Sequence, residues 1–334
     1  MMQKPKVFVT RMIPEEGLTK VIDICDACIW PEEFPPDRAS LIEHSRDVAG
    51  ILCLITDIID AGVMDAAGPS LKIISNYAVG FDNIDIKAAT DRDILVGNTP
   101  GVLTGSTADL AFTLLAAAAR RIGEGIDYIR AGHWHTFKPR ALLGRDIHGA
   151  TLGIIGMGRI GIEMARRAAG FGMNIIYYDH RMRPERGTDV DARMCTSVDE
   201  LLETADFITL HVPLTPDTKH LIDVAAFKKM KKTAVLINTS RGPIVESDAL
   251  YEALHSGDIA YAALDVTDPE PLPADHKLLG LPNCLIVPHI GSATVMTRNR
   301  MAVMAAENLI AGVSGRMPDH LVNPEVLPYH HEKS

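Results

Sequence analysis

The stretch that most narrows what this chain of 334 residues can become is Gly156-Met-Gly158-Arg159-Ile160-Gly161. A short apolar run, residues 152–155, leads into it, and a helical pattern follows as far as Ala169. Gly170 and Gly172 break that pattern, and a second apolar run from Asn174 to Tyr178 ends in Asp179. Strand, glycine turn, helix and strand make one βαβ unit. Gly156 permits the tight turn, Gly158 lets a pyrophosphate approach the backbone, and Gly161 lets helix and strand pack closely. The helix start points N–H groups and positive partial charge at the phosphates. Asp179, 18 residues past the last glycine, is placed to accept both hydroxyls of an adenosine ribose. The stretch reads as a dinucleotide site.

Around it the chain alternates strands and helices, which indicates parallel sheets covered on both faces. Residues 6–98 form a small α/β region without a glycine fingerprint, with strand candidates at 7–10, 48–55, 71–75 and 94–96. Asn98-Thr-Pro-Gly101 reads as a hinge. Ser106 to Asp109 resembles a capping box opening an Ala/Leu-rich helix that runs to Ala119, apolar on almost every side and so buried in its own core or against a partner. Strand candidates at 152–155, 175–178, 207–211, 234–238, 260–265 and 285–287 complete a doubly wound nucleotide domain. The helix 298–312 is then expected to return to the first region.

Composition sets bounds. Apolar residues make up 47% and charged residues 23%, and the formal net charge of −10 argues against a nucleic-acid partner. No apolar run reaches the roughly 18 residues that span a bilayer, and residues 1–10 run into a strand without a signal-peptide pattern. Five cysteines, an odd number, fit a reducing compartment, so the expectation is a cytoplasmic enzyme. Cys25 and Cys28 have zinc or redox spacing, but no second pair completes four ligands, and they read as two half-buried thiols. His133, His135, His330 and His331 point only weakly to metal, and the Tyr329/Lys333 spacing reads as chance.

Three segments fall at carboxyl ends of predicted strands, the edge where open α/β sheets bind ligands. Arg241 lies in Asn238-Thr-Ser-Arg-Gly, Glu270 in Asp265-Val-Thr-Asp-Pro-Glu-Pro, and His289 in Pro288-His-Ile-Gly-Ser. An arginine fork suits a carboxylate. A histidine can deliver the proton that accompanies a hydride, and a neighbouring glutamate would fix its ring. These residue types suit reduction of a 2-oxo acid without a metal.

With these motifs, and with Asn76-Tyr-Ala-Val-Gly-Phe-Asp-Asn-Ile-Asp85, Gly97-Asn-Thr-Pro-Gly101 and Ala263-Leu-Asp-Val-Thr-Asp-Pro-Glu-Pro271, the chain resembles the D-isomer-specific 2-hydroxyacid dehydrogenases nearly end to end. It is most similar to their glyoxylate/hydroxypyruvate reductase branch. The resemblance implies two doubly wound domains: a flavodoxin-like substrate domain (residues 1–99 and 292–334) and a Rossmann domain inserted in it (100–291). It also implies a homodimer made through the latter; the helix 106–119, with no polar face, and the aromatic segment 134–139 are themselves expected at that two-fold interface. It assigns Arg241 to the substrate carboxylate and carbonyl, His289 to acid/base work and Glu270 to pairing with His289. The backbone of Val79 and Gly80 would hold the other side of the carboxylate, with Leu54 and Ser292 nearby.

Cofactor-lining positions implied in the same way are Thr107, Arg159, Ile160, His180, Arg181, Val212, Pro213, Thr218, Thr239, Asp265 and Gly291, beside Gly156, Gly158, Gly161 and Asp179. Asp179 favours NAD(H), because a carboxylate repels a 2′-phosphate. NADP(H) remains the alternative, through Arg181 or Arg183. The functional alternatives are oxidation of a small anion such as phosphite or formate on the same fold, and a non-catalytic corepressor that senses nicotinamide.

Overall fold

The computed structural model describes residues 3–181 and 184–326. Arg183, Tyr329, His330, His331 and Lys333 lie outside them. The chain divides into two compact units, one of residues up to Leu103 together with those from Ala293, the other Thr104–Ser292.

The first unit opens with β1 (Lys6–Val9), α1 (Glu15–Ile24), β2 (Asp26–Ile29), α2 (Arg38–His44) and β3 (Gly50–Cys53). It continues through α3 (Ala61–Ala67), β4 (Ile73–Asn76), α4 (Ile86–Thr90) and β5 (Leu95–Gly97). The five strands are parallel in the order β2-β1-β3-β4-β5, the flavodoxin-like arrangement. Aspartates start the helices after β2, β3 and β4: Asp37, Asp60 and Asp85 each accept the backbone N–H three residues on. β2 was not anticipated. It is a four-residue edge strand, alternately exposed and half-buried; Cys28 within it is exposed and Cys25 just before it is buried, so the pair is not two half-buried thiols.

The second unit runs α5 (Thr104–Ala119), α6 (Ile122–Arg130), β6 (Thr151–Ile155), α7 (Arg159–Gly170), β7 (Asn174–Tyr178), β8 (Arg193–Met194) and α8 (Val198–Thr204). It ends with β9 (Phe207–Leu210), α9 (Val224–Lys229), β10 (Val235–Asn238), α10 (Ser247–Ser256), β11 (Tyr261–Leu264) and β12 (Cys284–Ile286). Its seven parallel strands are ordered β12-β11-β10-β9-β6-β7-β8. The chain reverses its direction of winding between β6 and β9, and that switch point is where a doubly wound sheet opens a crevice at its carboxyl edge.

α5 starts at Thr104, two residues before the expected capping box, so Ser106 is not its N-cap. Its apolar faces are already covered inside its own unit. Ala111, Phe112, Leu115 and Ala118 share a core with Met164, Tyr177 and Ile237. The exposed apolar side chains nearby belong instead to α6 (Ile122, Ile126 and Ile129) and to Trp134 and Phe137.

α11 (Val295–Val313), capped by Thr294, belongs to the first unit. It is seated by small residues. A Cβ on Gly17 would collide with the Ala302 backbone, one on Gly312 would stand 2.5 Å from Ile73 Cβ, and Ser75 donates to the Ala305 carbonyl at 2.7 Å.

Candidate active site and cofactor cradle

The glycine turn is shaped as its sequence requires. Gly156 has φ +96°, and a Cβ there would lie 2.6 Å from the His211 carbonyl and 2.8 Å from Val212 Cγ1. That φ is one that L side chains rarely adopt. A Cβ on Gly161 would collide with the Gly156 carbonyl, so the helix presses directly on the turn. Gly158 differs: a Cβ there would meet nothing within 4 Å, and Gly158 caps α7 without a side chain. Open space therefore stands before the start of a 12-residue helix that begins with Arg159 and Ile160.

At the end of β7 the Asp179 carboxylate is largely buried. Its Oδ2 accepts the Met157 N–H at 3.1 Å and its Oδ1 the Arg181 N–H at 3.0 Å, with His180 Nδ1 3.5 Å from Oδ1. Beyond β9, the Thr218 hydroxyl donates to the Pro213 carbonyl at 2.6 Å and accepts the Thr215 N–H at 2.8 Å, fixing the loop that begins at Val212. Beyond β10, the Thr239 hydroxyl is buried with no partner among the described residues. A buried donor left without a partner is costly. With the open glycine turn and the shielded acid, it makes these residues fit a dinucleotide.

The three loops expected to carry chemistry interlock. Gly242, directly after Arg241, lies so close to the Thr267 carbonyl that no Cβ fits between them. The Thr267 hydroxyl donates to the Pro269 carbonyl at 2.8 Å, and its N–H makes a long contact of 3.4 Å to Glu270 Oε2. Glu270 Oε1 is in turn 2.5 Å from His289 Nδ1. The Arg241 Nη1 donates to the Ser240 carbonyl at 2.8 Å, and Asn238 ties its own loop through the Arg241 carbonyl and the Ser240 N–H.

His289 itself has φ +50°, in the left-handed region, where a residue with a side chain is strained. Asp265 holds it there. Its carboxylate accepts the N–H groups of Ile290 at 2.6 Å and Gly291 at 2.9 Å, while its carbonyl accepts the His289 N–H at 2.8 Å. Burial pushes the Asp265 carboxyl up from its ordinary value, and the two amide bonds work against that. Asp265, read from the sequence as a cofactor neighbour, here grips the histidine loop. Gly291 faces Thr107 of α5, whose Cγ2 would be 3.5 Å from a Cβ on it, and Ser292 closes the unit.

In the first unit, Leu54 follows β3, and Val79 and Gly80 follow β4. Their carbonyls are pinned by asparagines: Asn83 donates to Leu54 at 3.0 Å, Asn98 to Val79 at 2.8 Å and Asn76 to Gly80 at 2.7 Å. The Leu54 N–H donates to Asp57 Oδ2 at 2.7 Å. Asn76 and Asn83 lie in the motif 76–85 without a role assigned from sequence. Their signal is two carboxamides flanking a glycine-containing turn.

His211, also unremarked in the sequence, ends the β9 segment with Nε2 2.9 Å from the Thr209 hydroxyl. Burial holds its pKa down at about 4. Among the described residues no group of three or more His, Cys, Asp or Glu side chains is arranged to hold a metal ion, and no helix is long and apolar enough to cross a membrane.

Comparison with known proteins agrees with this geometry. Residues 112–291 match the model of the D-isomer specific 2-hydroxyacid dehydrogenase, NAD binding domain. A glyoxylate reductase of Korarchaeum cryptofilum is 51% identical over 325 residues, covering 97% of each chain. A protein of Thermus thermophilus superposes with a TM-score of 0.89 at 45% identity, over 95% of this chain and 99% of that one. The NADPH-dependent glyoxylate/hydroxypyruvate reductase of Sinorhizobium meliloti, solved with NADP and malonate, gives a TM-score of 0.85 at 32% identity over 97% and 98% of the two chains. A glycine turn built for a dinucleotide, a histidine held by a glutamate on the same sheet edge, and likeness along nearly the whole length lead to one assignment: the chain belongs to the D-isomer specific 2-hydroxyacid dehydrogenases.

Proposed function

We propose that this protein reduces small 2-oxo acids, glyoxylate and hydroxypyruvate, to the D-2-hydroxy acids glycolate and D-glycerate at the expense of NAD(P)H. The observation that carries the reading is the 2.5 Å contact between His289 Nδ1 and Glu270 Oε1, at the edge where a doubly wound sheet binds its ligands. The names of the relatives support the substrate class.

The reduced nicotinamide, when bound, supplies a hydride to the carbonyl carbon. Arg241 pairs its guanidinium with the substrate carboxylate and polarises the carbonyl, fixing which carbon is presented. With Nδ1 engaged by Glu270, His289 has Nε2 left for the carbonyl oxygen. As imidazolium it stabilises the charge that develops there and hands over the proton, so the carbonyl oxygen becomes a neutral hydroxyl. Glu270 holds the ring and balances its positive charge. Asp265 is a positioning residue that keeps the histidine loop in its strained form. Leu54, Val79, Gly80 and Ser292 are assigned to substrate contacts, on the family resemblance.

Asp179 favours NAD(H), its carboxylate being an acceptor suited to a free ribose diol. The protein acts as a homodimer whose second copy covers the exposed apolar side chains of α6 together with Trp134 and Phe137. Steady-state kcat/KM for a panel of 2-oxo acids, with NADH and NADPH side by side, tests the reading. No turnover of any of them sinks it, and a preference for NADPH of tenfold or more sinks the cofactor assignment.

A further inference from the structure

The cradle contains a cation that neither the glycine fingerprint nor the family resemblance singles out. Arg186 lies beyond β7 in the 3-10 segment Pro184–Val190. Its Nη1 donates to the Met157 carbonyl, inside the glycine turn, at 2.8 Å, and the same nitrogen stands 3.7 Å from Asp179 Oδ2. The segment that delivers it is anchored. A Cβ on Gly187 would meet the Ala192 carbonyl at 2.6 Å and the Tyr177 ring at 2.9 Å, so only glycine lets the backbone lie on that ring. Ala192 N–H donates to the Gly187 carbonyl at 2.9 Å, and Arg166 of α7 stands 3.6 Å from Asp189. The Arg186 side chain keeps 30% of its surface open.

We propose that Arg186 sets how far this site accepts a phosphate on the 2′-hydroxyl of the adenosine ribose. The proposal rests on the dinucleotide reading above. A carboxylate suits a free diol and repels a phosphate brought to the same place. Arg186 offsets part of that repulsion, because its charge lies beside Asp179, and its unused N–H groups offer the planar fork that phosphate oxygens take. Its described neighbours meet Asp179 differently. His180 approaches Asp179 from the other oxygen, and Arg181 meets it through its backbone N–H. One residue thus gives an acid-ended β7 a measure of tolerance for the phosphorylated cofactor.

Calorimetric titration of the protein with ADP-ribose and with 2′-phospho-ADP-ribose, which carry no nicotinamide, reads this without turnover. Arg186→Gln should weaken 2′-phospho-ADP-ribose by about tenfold or more, the scale of a lost charge-assisted bond, and leave ADP-ribose within about threefold. Arg186→Lys should fall between, as a point charge without the fork. Equal loss for both probes overturns the proposal, since Arg186 would then only brace the turn. So does an unchanged affinity for the phosphorylated probe, or a parent protein that binds ADP-ribose and not its 2′-phosphate. A parent that binds neither probe refutes the dinucleotide reading itself.

Discussion

Replacing Gly242 with alanine tests whether the loops carrying Arg241, Glu270 and His289 work as one interlocked piece. A Cβ at Gly242 would stand 2.8 Å from the Asp268 backbone nitrogen and closer still to the Thr267 carbonyl. Ordinary van der Waals contact begins near 3.4 Å, so the Asp268 contact alone must open by about 0.6 Å and the Thr267 contact by more. Neither neighbour is a flexible side-chain end; both are backbone of the segment that leads to Glu270. Overpacking of this kind costs about 1–3 kcal/mol of stability. Displacing one loop from the other by about an ångström costs about 10²-fold in rate. The expected result is a kcat/KM for glyoxylate about 10² below the parent, with a urea midpoint lowered by the equivalent of about 1–3 kcal/mol.

Gly158→Ala is the matched control, because its Cβ meets nothing within 4 Å. Its urea midpoint should stay at the parent value while ADP-ribose affinity drops, the methyl group standing where a pyrophosphate must approach. A Gly242→Ala protein with parental activity would refute the interlock. A Gly158→Ala protein with parental affinity would refute the cradle.

Removing the proton donor, His289→Ala should lower kcat by about 10²–10⁴-fold in stopped-flow or steady-state assays, with Glu270→Gln retaining more activity; equal losses would place Glu270 in contact with substrate. Arg241→Lys should lose kcat/KM nearly as badly as Arg241→Ala, and a mild effect would show that a point charge suffices. His211 gives a pH prediction. Burial lowers its pKa from 6.5 to about 4, so between those values the unfolded chain takes up a proton that the folded chain refuses. Stability is therefore lost as pH falls through that window, by about 3 kcal/mol. In His211→Gln the urea midpoint should decline less steeply from pH 6.5 to 4, and an unchanged slope would assign the acid sensitivity elsewhere. Light scattering at micromolar concentration should give twice the chain mass, and Ile126→Glu with Ile129→Glu should shift it towards one; a monomeric parent removes the dimer.

What could be read in the sequence follows from which interactions are local. The Gly156–Gly161 turn announces itself because tight turn, helix start and close packing all act within a few residues of each other. β9, β10 and β11, with most of β6 and β7, were visible because strands buried on both faces are continuous apolar runs, and the half-buried edge strand β12 was visible as a short apolar run. β2 and β8 were not. Asp26–Ile29 is only four residues at a sheet edge, alternately exposed and half-buried, and Arg193–Met194 is two residues long. Arg241, Glu270 and His289 were legible by type, each at the end of an apolar run. The devices that hold them were not: Gly242 needs glycine because of a backbone 25 residues later, and Asp265 acts on amides 25 and 26 positions away. Arg186 sits in a polar stretch with no periodicity, where one arginine among several gives no local sign of its role.

The division of the chain has a consequence for its synthesis. α11 supplies the surface on which Gly17, Gly50 and Ser75 rest, yet 189 residues, Thr104–Ser292, are made between Leu103 and its start. At about 5–20 residues per second, the first five strands leave the ribosome roughly 10–40 s before the helix that covers them. The inserted unit carries all of its own strands and can close first. The hypothesis is that the amino-terminal segment waits as an open sheet, exposed to chaperones and proteases. Protease digestion of ribosome-arrested chains ending near Ser292 checks it: residues 104–292 should resist cleavage while residues 6–97 are cut, and protection of both would show that the sheet closes without α11.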